Sequence, residues 1–172
     1  MKQKFRQSGF TIIEILTSIT LLAILLMIAV PSIHDTIVKN RLKGAIEQFR
    51  ADIQYARSES IKTNQPITVS FTTGEQWCYG ISTNGGCTCN TGNSCLKSFD
   101  NAEFKDISMT TTHFENLNGK SYVTMNPTNI ISSEGKIIFS SQKSGSITAD
   151  LNIVGRIHLC SNDLSSYPDC VN

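Results

Sequence analysis

The sequence lacks a strong excess of charge of either sign. It has 172 residues, of which 15 are Lys or Arg and 14 are Asp or Glu, for a net charge of +1. Such a balance gives the chain no strong overall field that would attract nucleic acid or anionic lipid. Functions that depend on net charge alone are therefore excluded.

Motifs that accompany catalysis are also missing from the sequence. His34 and His113 have no companions at the spacing of metal ligands, and no serine lies in a nucleophile-elbow motif. There is no glycine-rich phosphate loop, and no pair of carboxylates differs from ordinary solvated acids. We therefore expect no catalytic residue, no metal and no cofactor, and a protein that is not an enzyme.

The sequence does contain an unusual start, a basic leader at residues 1–9 directly before a long apolar run. The run extends from residue 10 to residue 30 and contains one carboxylate, Glu14. A secretory signal has its small-residue cleavage site after the apolar stretch, whereas Gly9 lies before it. An uncleaved signal anchor, or a secretory signal that ends near Ala29, would also explain the run, but neither requires a carboxylate inside it.

The apolar run has the length of a membrane span. Its 21 residues would form a helix of about 32 Å, which is close to a hydrocarbon thickness of about 30 Å. Basic residues before a span tend to stay in the cytoplasm. We therefore expect the chain after Pro31 to cross the inner membrane into the periplasm.

Glu14 is expected to need a positively charged partner, because a charged carboxylate in hydrocarbon is unfavourable unless it is paired. Cleavage after Gly9 would create one, since the new amine of Phe10 lies four residues from Glu14, on the same side of a helix. The pair can form within one chain or between neighbouring chains, where it would set the stagger between subunits. An acid that snorkels to the membrane face is the simpler alternative.

Residues 32–63 are predicted to continue as an amphipathic helix. Apolar residues recur at steps of three or four, and the charged residues, Asp52 among them, are expected on the other faces. Pro31 should bend the helix or melt it locally, and Gly44 is a second weak point. The predicted apolar face comprises Ile33, Ile37, Val38, Leu42, Ile46, Phe49, Ile53, Ala56 and Ile61.

From residue 64 to residue 172 the pattern changes to the alternation that is typical of strands. We expect a single domain of antiparallel sheet that packs on the apolar face of the helix, with residues 82–94 as a surface loop. The predicted fold class is therefore α+β. The predicted strands are 67–71, 137–139, 147–153 and 157–159, with weaker candidates at 77–81, 107–111 and 122–125.

Six cysteines lie beyond the apolar run, where an oxidising compartment lets disulfides persist. They are Cys78, Cys87, Cys89, Cys95, Cys160 and Cys170. The terminal pair, Cys160 and Cys170, is the natural bridge because its members are near each other in the sequence. Zinc binding is the alternative role for the four other cysteines, although their spacing is not the usual one for zinc ligands.

Three pairings remain for the four cysteines between positions 78 and 95. A bridge between Cys87 and Cys89 is the least favoured, because only one residue separates them. We favour pairings that join Cys78 to one of these two and Cys95 to the other.

The N-terminal segment resembles the signature of type IV prepilins. The resemblance covers Gly9, Phe10, Thr11, Glu14 and the apolar run that ends at Pro31. It implies that a prepilin peptidase cuts between Gly9 and Phe10 and methylates the new amine of Phe10. It also implies that Glu14 docks an incoming subunit onto a growing filament.

The predicted arrangement of helix and sheet resembles the pilin fold. Short stretches at 77–80, 87–89, 136–139 and 155–160 are similar to the minor pilins called FimT and FimU, relatives of the secretion pseudopilin GspH. The resemblance implies assembly with other pilins or pseudopilins. Prepilin peptidase, an inner-membrane assembly platform and, before assembly, membrane lipid are the other implied partners.

DNA is a further candidate partner. Pilins of the FimT type that capture DNA are similar in having Gly-Arg-x-Arg where this chain has Gly-Arg-Ile-His at residues 155–158. A neutral His158 attracts phosphate only weakly, and a basic patch would need Lys136 and Lys143 to join Arg156. The domain after the helix has six basic and nine acidic residues, a net charge of −3, so DNA is the weaker prediction.

The sequence as a whole predicts a minor pilin that prepilin peptidase processes and that supports assembly of a type IV pilus. A type II secretion pseudopilin similar to GspH and a DNA-binding pilin for natural transformation are the alternatives. Before assembly, we expect a single-pass inner-membrane protein with residues 10–31 as the transmembrane and assembly helix. Residues 64–172 are then a disulfide-stapled domain in the periplasm, which later becomes part of a pilus or pseudopilus.

Overall fold

A computed structural model of the chain describes residues 9–83, 85–89, 94–117, 120–128 and 131–171. The side chains of residues 28–32 and 115–117 lie outside this description, and so does the predicted leader apart from Gly9. The chain divides into two compact units between Ile37 and Val38. We refer to them as the N-terminal unit and the C-terminal unit.

One long helix, α1, extends from Ile12 to Thr63. It remains helical through Pro31, so the predicted local melting is not seen, while the predicted bend stays a prediction. Asn64 follows with a φ of 53°, the left-handed conformation that often ends a helix. The backbone N–H of Gln65 then donates to the carbonyl of Ser60 at 3.3 Å, which closes the last turn.

In the N-terminal unit, every described side chain from residue 10 to residue 27 is exposed. These side chains include large apolar ones such as Ile12, with 81 % of its surface exposed, and Met27, with 79 %. None of the helices in the described part of the chain has a stretch long and apolar enough to cross a membrane. The span over residues 10–31 stays a prediction.

In the C-terminal unit, one face of α1 is completely buried, with apolar residues at steps of three and four as expected of an amphipathic helix. Three residues of the predicted face, Ile33, Ile37 and Ile61, are exposed instead. The first two belong to the N-terminal unit. Near the helix end, Ser60 rather than Ile61 continues the buried face, and its hydroxyl donates to the carbonyl of Met125 at 2.9 Å. The buried apolar face consists of Val38, Leu42, Ala45, Ile46, Phe49, Ile53 and Ala56.

The strands of the C-terminal unit form two antiparallel sheets. The strands are β1 (Ile67–Thr72), β2 (Cys78–Ser82), β3 (Lys97–Asp100), β4 (Ser108–Thr112), β5 (Glu115–Leu117), β6 (Lys120–Met125), β7 (Gly135–Ser141), β8 (Gly145–Leu151) and β9 (Ile157–Cys160). Within the described residues, a five-stranded sheet has the order β3-β2-β1-β6-β5, and a four-stranded sheet has the order β4-β7-β8-β9. The helix and the sheets confirm the predicted α+β class.

All seven predicted strands are present. The strand predicted over residues 147–153 ends earlier, at Leu151, because a turn follows in which the N–H of Gly155 donates to the carbonyl of Asn152 at 2.8 Å. Strands β3 and β5 are not predicted from the sequence. Strand β3 is a largely exposed edge strand without apolar alternation, and β5 has only three residues.

Phe49 of α1 contacts both sheets. Its ring centroid lies 5.4 Å from that of Tyr79 in β2 and 6.0 Å from that of Phe139 in β7. Another close contact involves Gly44, where a Cβ would lie 2.8 Å from a ring carbon of Phe104. The position that the sequence marks only as a weak point of the helix is therefore where an aromatic ring approaches the helix backbone.

Candidate functional site

The predicted processing site lies just before α1. Gly9 and Phe10 are exposed and not helical, and a Cβ at Gly9 would meet no atom within 4 Å. Exposed backbone outside regular structure is the kind that peptidases cleave most readily. The geometry therefore leaves the bond between Gly9 and Phe10 accessible.

Glu14 lies in the first turn of α1 with its side chain exposed. Thr11 caps the helix, because the backbone N–H of Glu14 donates to the Thr11 hydroxyl at 3.2 Å. The hydroxyls of Thr17 and Ser18 donate to the Glu14 carbonyl at 3.0 and 2.7 Å. These bonds use the backbone of Glu14, and no ion pair among the described residues involves its carboxylate. The carboxylate is thus accessible to a partner from outside the chain.

The six cysteines form three disulfides. They are Cys78–Cys89, Cys87–Cys95 and Cys160–Cys170. The bridge between Cys160 and Cys170 confirms the pair that is favoured because its members are near each other in the sequence. The other two bridges confirm the prediction that Cys78 pairs with one of Cys87 and Cys89, and Cys95 with the other. Gly80 in β2 makes room for the second bridge, because a Cβ there would lie 2.6 Å from the sulfur of Cys95. The bridge therefore packs directly on the strand.

The prediction that Asp52 lies away from the buried face of α1 is wrong, because only 2 % of its surface is exposed. The hydroxyl of Tyr79 donates to Asp52 Oδ2 at 2.8 Å, and the amide of Gln48 donates to the same oxygen at 3.2 Å. Lys97 Nζ forms an ion pair with Asp52 Oδ1. These three donors satisfy the carboxylate, so its burial does not leave an unpaired charge.

The Asp52 network joins α1 to strands β2 and β3. Burial, and then the neighbouring Asp52 carboxylate, raises the pKa of Tyr79 far above its ordinary value. The phenol therefore remains a hydrogen-bond donor throughout the physiological pH range. Sequence reasoning missed this network, and its one local signal is that Asp52 lies between Phe49 and Ile53 on the buried side of the helix.

We expect Asp52→Ala to lower the free energy of unfolding by about 2–3 kcal/mol, because it leaves the buried Tyr79 hydroxyl and the Lys97 ammonium without their acceptor. Urea denaturation followed by circular dichroism measures the loss. Glu103→Ala is the matched control, since it removes the same charge from an exposed side chain. Equal stability of the two variants would contradict a structural role for Asp52.

The loop closed by the bridge between Cys160 and Cys170 packs on α1. Leu164 of this loop belongs to the core, and the hydroxyl of Tyr167 donates to Glu47 Oε1 at 3.2 Å. Burial, and then the Glu47 carboxylate, raises the pKa of Tyr167 to about 12. The contact therefore depends on a protonated phenol.

The raised pKa of Tyr167 predicts that the protein loses stability at alkaline pH. Because folding favours the protonated phenol, this contribution is fully present below an ordinary pKa of about 10 and is lost as the pH rises towards the folded value. The measurement is a pH titration of tyrosinate absorbance in the wild type and in Tyr167→Phe. We expect the difference between the two curves to have its midpoint near pH 12. A midpoint near pH 10 would mean that the loop does not hold Tyr167 against Glu47.

The four residues considered for DNA binding do not form one patch. Lys136, Asp150 and His158 lie in register across β7, β8 and β9, and Lys136 Nζ is 3.7 Å from a carboxylate oxygen of Asp150. Lys143 precedes β8, whereas Arg156 follows it, and the seven residues of that strand span about 23 Å. Asp150 thus lies between Lys136 and His158, and Lys143 and Arg156 lie at opposite ends of β8.

Comparison with known proteins places this architecture among the pilins. Two crystal forms of the type IV minor pilin FimU from Pseudomonas aeruginosa strain PAO1 have a similar fold. The first has a TM-score of 0.53 and 19 % identity, over 70 % of this chain and 88 % of that one. The second has a TM-score of 0.52 and 18 % identity, over 69 % and 91 %. No curated protein matches this chain.

Two family descriptions match the sequence. The family described as Type II transport protein GspH matches residues 45–167, and the Prokaryotic N-terminal methylation motif matches residues 4–30. The fold and the motif define a type IV pilin-like protein, of the minor pilin or pseudopilin class. Within that class, the chain belongs to the GspH family.

Proposed function

We propose that this chain is a minor pilin that prepilin peptidase cleaves after Gly9 and methylates at Phe10, and that then becomes a subunit of a type IV pilus. The observation that carries the proposal is the exposed apolar part of α1, which begins directly after a methylation motif and carries Glu14. Its large apolar side chains need a covering that the described residues do not provide. Neighbouring helices in a filament, and lipid before assembly, provide that covering.

Glu14 sets the register between subunits in this proposal. Its carboxylate is exposed, and a new amine at Phe10 would lie four residues before it, just outside the first turn of α1. Within an apolar filament core, an unpaired carboxylate is strongly unfavourable, so a subunit stagger that pairs it with an amine is preferred. Methylation retains the positive charge of that amine.

Before assembly, the proposed location is the inner membrane, with the C-terminal unit in the periplasm. Three disulfides support an oxidising compartment for that unit. The proposed partners are other pilins or pseudopilins, prepilin peptidase and an inner-membrane assembly platform.

We expect Glu14→Ala to reduce incorporation of the subunit into purified filaments about tenfold or more, because the charge pair that selects the stagger is lost. Immunoblots of sheared filaments and of membranes, compared with each other, measure the change. Asp35→Ala is the matched control, since Asp35 is an exposed acid of the same helix. Glu14→Asp retains the charge with a shorter side chain and tests the geometry alone.

Normal incorporation of Glu14→Ala would contradict the docking role. Mass spectrometry of the native subunit tests the processing step independently. We expect an N-terminal methylated Phe10. Finding residues 1–9 still attached in functional filaments would contradict the proposal as a whole.

Deletion of the protein from the cell distinguishes a role in a pilus from a role in a secretion system. The resemblance of residues 77–80 and 155–160 to FimT and FimU favours the pilus, and we therefore expect deletion to reduce piliation and twitching. Loss of enzyme export with normal pili would instead assign the chain to type II secretion. Duplex binding that falls with salt and is weakened by Arg156→Ala would assign it to DNA uptake.

A further inference from the structure

The five-stranded sheet carries a cavity on the face that lies away from α1, and hydroxyl side chains and one lysine are among the residues that line it. Its volume is about 380 Å³, within the usual range for small-molecule sites. The strands contribute Thr68, Ser70, Lys120, Tyr122 and Thr124 to its lining, and the disulfide-bonded loop contributes residues 85–88. We call it the hydroxyl cavity.

Strand β1 is buried on both of its faces. Val69 and Phe71 lie in the core, whereas Thr68 and Ser70, with 6 % and 5 % of their surfaces exposed, point to the other side. A buried hydroxyl is unfavourable unless it forms a hydrogen bond. Thr68 has a partner, because its hydroxyl oxygen lies 3.3 Å from that of Thr124.

Ser70 differs from Thr68, because its hydroxyl has no hydrogen-bond partner among the described residues. It lies between two neighbours of the same face, Gly80 on β2 and Tyr122 on β6. Gly86 of the loop lies above it, and a Cβ at Gly86 would be 2.9 Å from Ser70 Oγ. A glycine at this point keeps open a space that a side chain would fill.

Lys120 provides a positive charge at the wall of the cavity. Its ammonium donates to the hydroxyl of Thr88 at 3.1 Å, which orients it along the loop. Among the described residues, no ion pair involves Lys120, and no carboxylate lines the cavity. The lining therefore combines several hydroxyl donors with one cation, a set that matches a ligand with negative charge and many acceptor atoms.

We propose that the hydroxyl cavity binds a small oxyanion, a carboxylate or a phosphate group, with Lys120 as the counter-charge and Ser70 as the buried donor. The two disulfides Cys78–Cys89 and Cys87–Cys95 hold the loop that forms one wall. Neither Lys120 nor Ser70 belongs to the N-terminal unit. The proposed binding therefore uses no residue of the N-terminal unit, which carries Glu14.

The test is a titration of the full-length chain, purified in a non-ionic detergent, followed by the amide NMR signals of Ser70, Gly86 and Lys120. The probes are inorganic phosphate, acetate and neutral glucose. We expect saturable shifts of these signals with phosphate or with acetate, and the stronger of the two identifies the class of oxyanion. Absence of shifts with both anions, or an equal response to glucose, would overturn the proposal.

Two variants test the assigned roles. Lys120→Gln should weaken anion binding about tenfold or more, because a hydrogen bond between charged groups is lost. Lys143→Gln makes the same charge change on an exposed residue near the four-stranded sheet and should leave binding unchanged. Equal weakening by both variants would mean that only the overall charge matters, which contradicts a built site.

Ser70→Ala should weaken anion binding about fivefold, while the thermal midpoint without anion stays the same or rises. A hydroxyl that lacks a partner contributes nothing to stability, so its removal does not destabilise the fold. A lowered midpoint with unchanged affinity would show that Ser70 has a purely structural role. Lys120→Gln and Ser70→Ala should both still enter filaments. A loss of anion binding is therefore distinguishable from a failure of the proposed function.

Discussion

Burial of one face of α1 is the constraint from which the C-terminal unit is built. The buried face runs from Val38 to Ala56, and Phe49 near its middle contacts rings from both sheets. Neither sheet alone provides all of these contacts. The two sheets are therefore held together through the helix that they cover, and the loops that carry the disulfides extend from this common core.

Polar groups in this buried setting fall into two kinds. Asp52 receives three donors from the helix and from two strands, so its charge strengthens the connection between α1 and the five-stranded sheet. Ser70 is equally buried, but none of the described residues completes its hydrogen bonding. A satisfied buried group stabilises a fold, whereas an unsatisfied one at a cavity wall indicates where a ligand can add to it.

The N-terminal unit obeys the opposite rule. Its described apolar side chains are exposed from residue 10 to residue 27. A surface of this kind is typical of an element that functions against other molecules. In this chain, which belongs to the GspH family, the second half of α1 carries the buried face of the domain, and the first half carries Glu14 and most of the methylation motif.

Several features could be predicted because their signals are local. The positions of Gly9 and Glu14, the helical period after Pro31 and the alternation of most strands can be read within a few residues of each other. Strand β3 escaped prediction because an exposed edge strand has no apolar alternation. Asp52 escaped because a helical period does not show which side chains the sheets will satisfy.

The sequence by itself determined the prepilin-like start, the long helix and the strand-rich remainder, since each of these follows from residues that are adjacent along the chain. Only the tertiary structure decided that Cys78 pairs with Cys89, that the strands divide between two sheets, and that Lys97 reaches Asp52. It also decided that Gly86 lies beside Ser70. Each of these features depends on residues that are not adjacent along the chain and that meet only when the chain folds around its buried helix face.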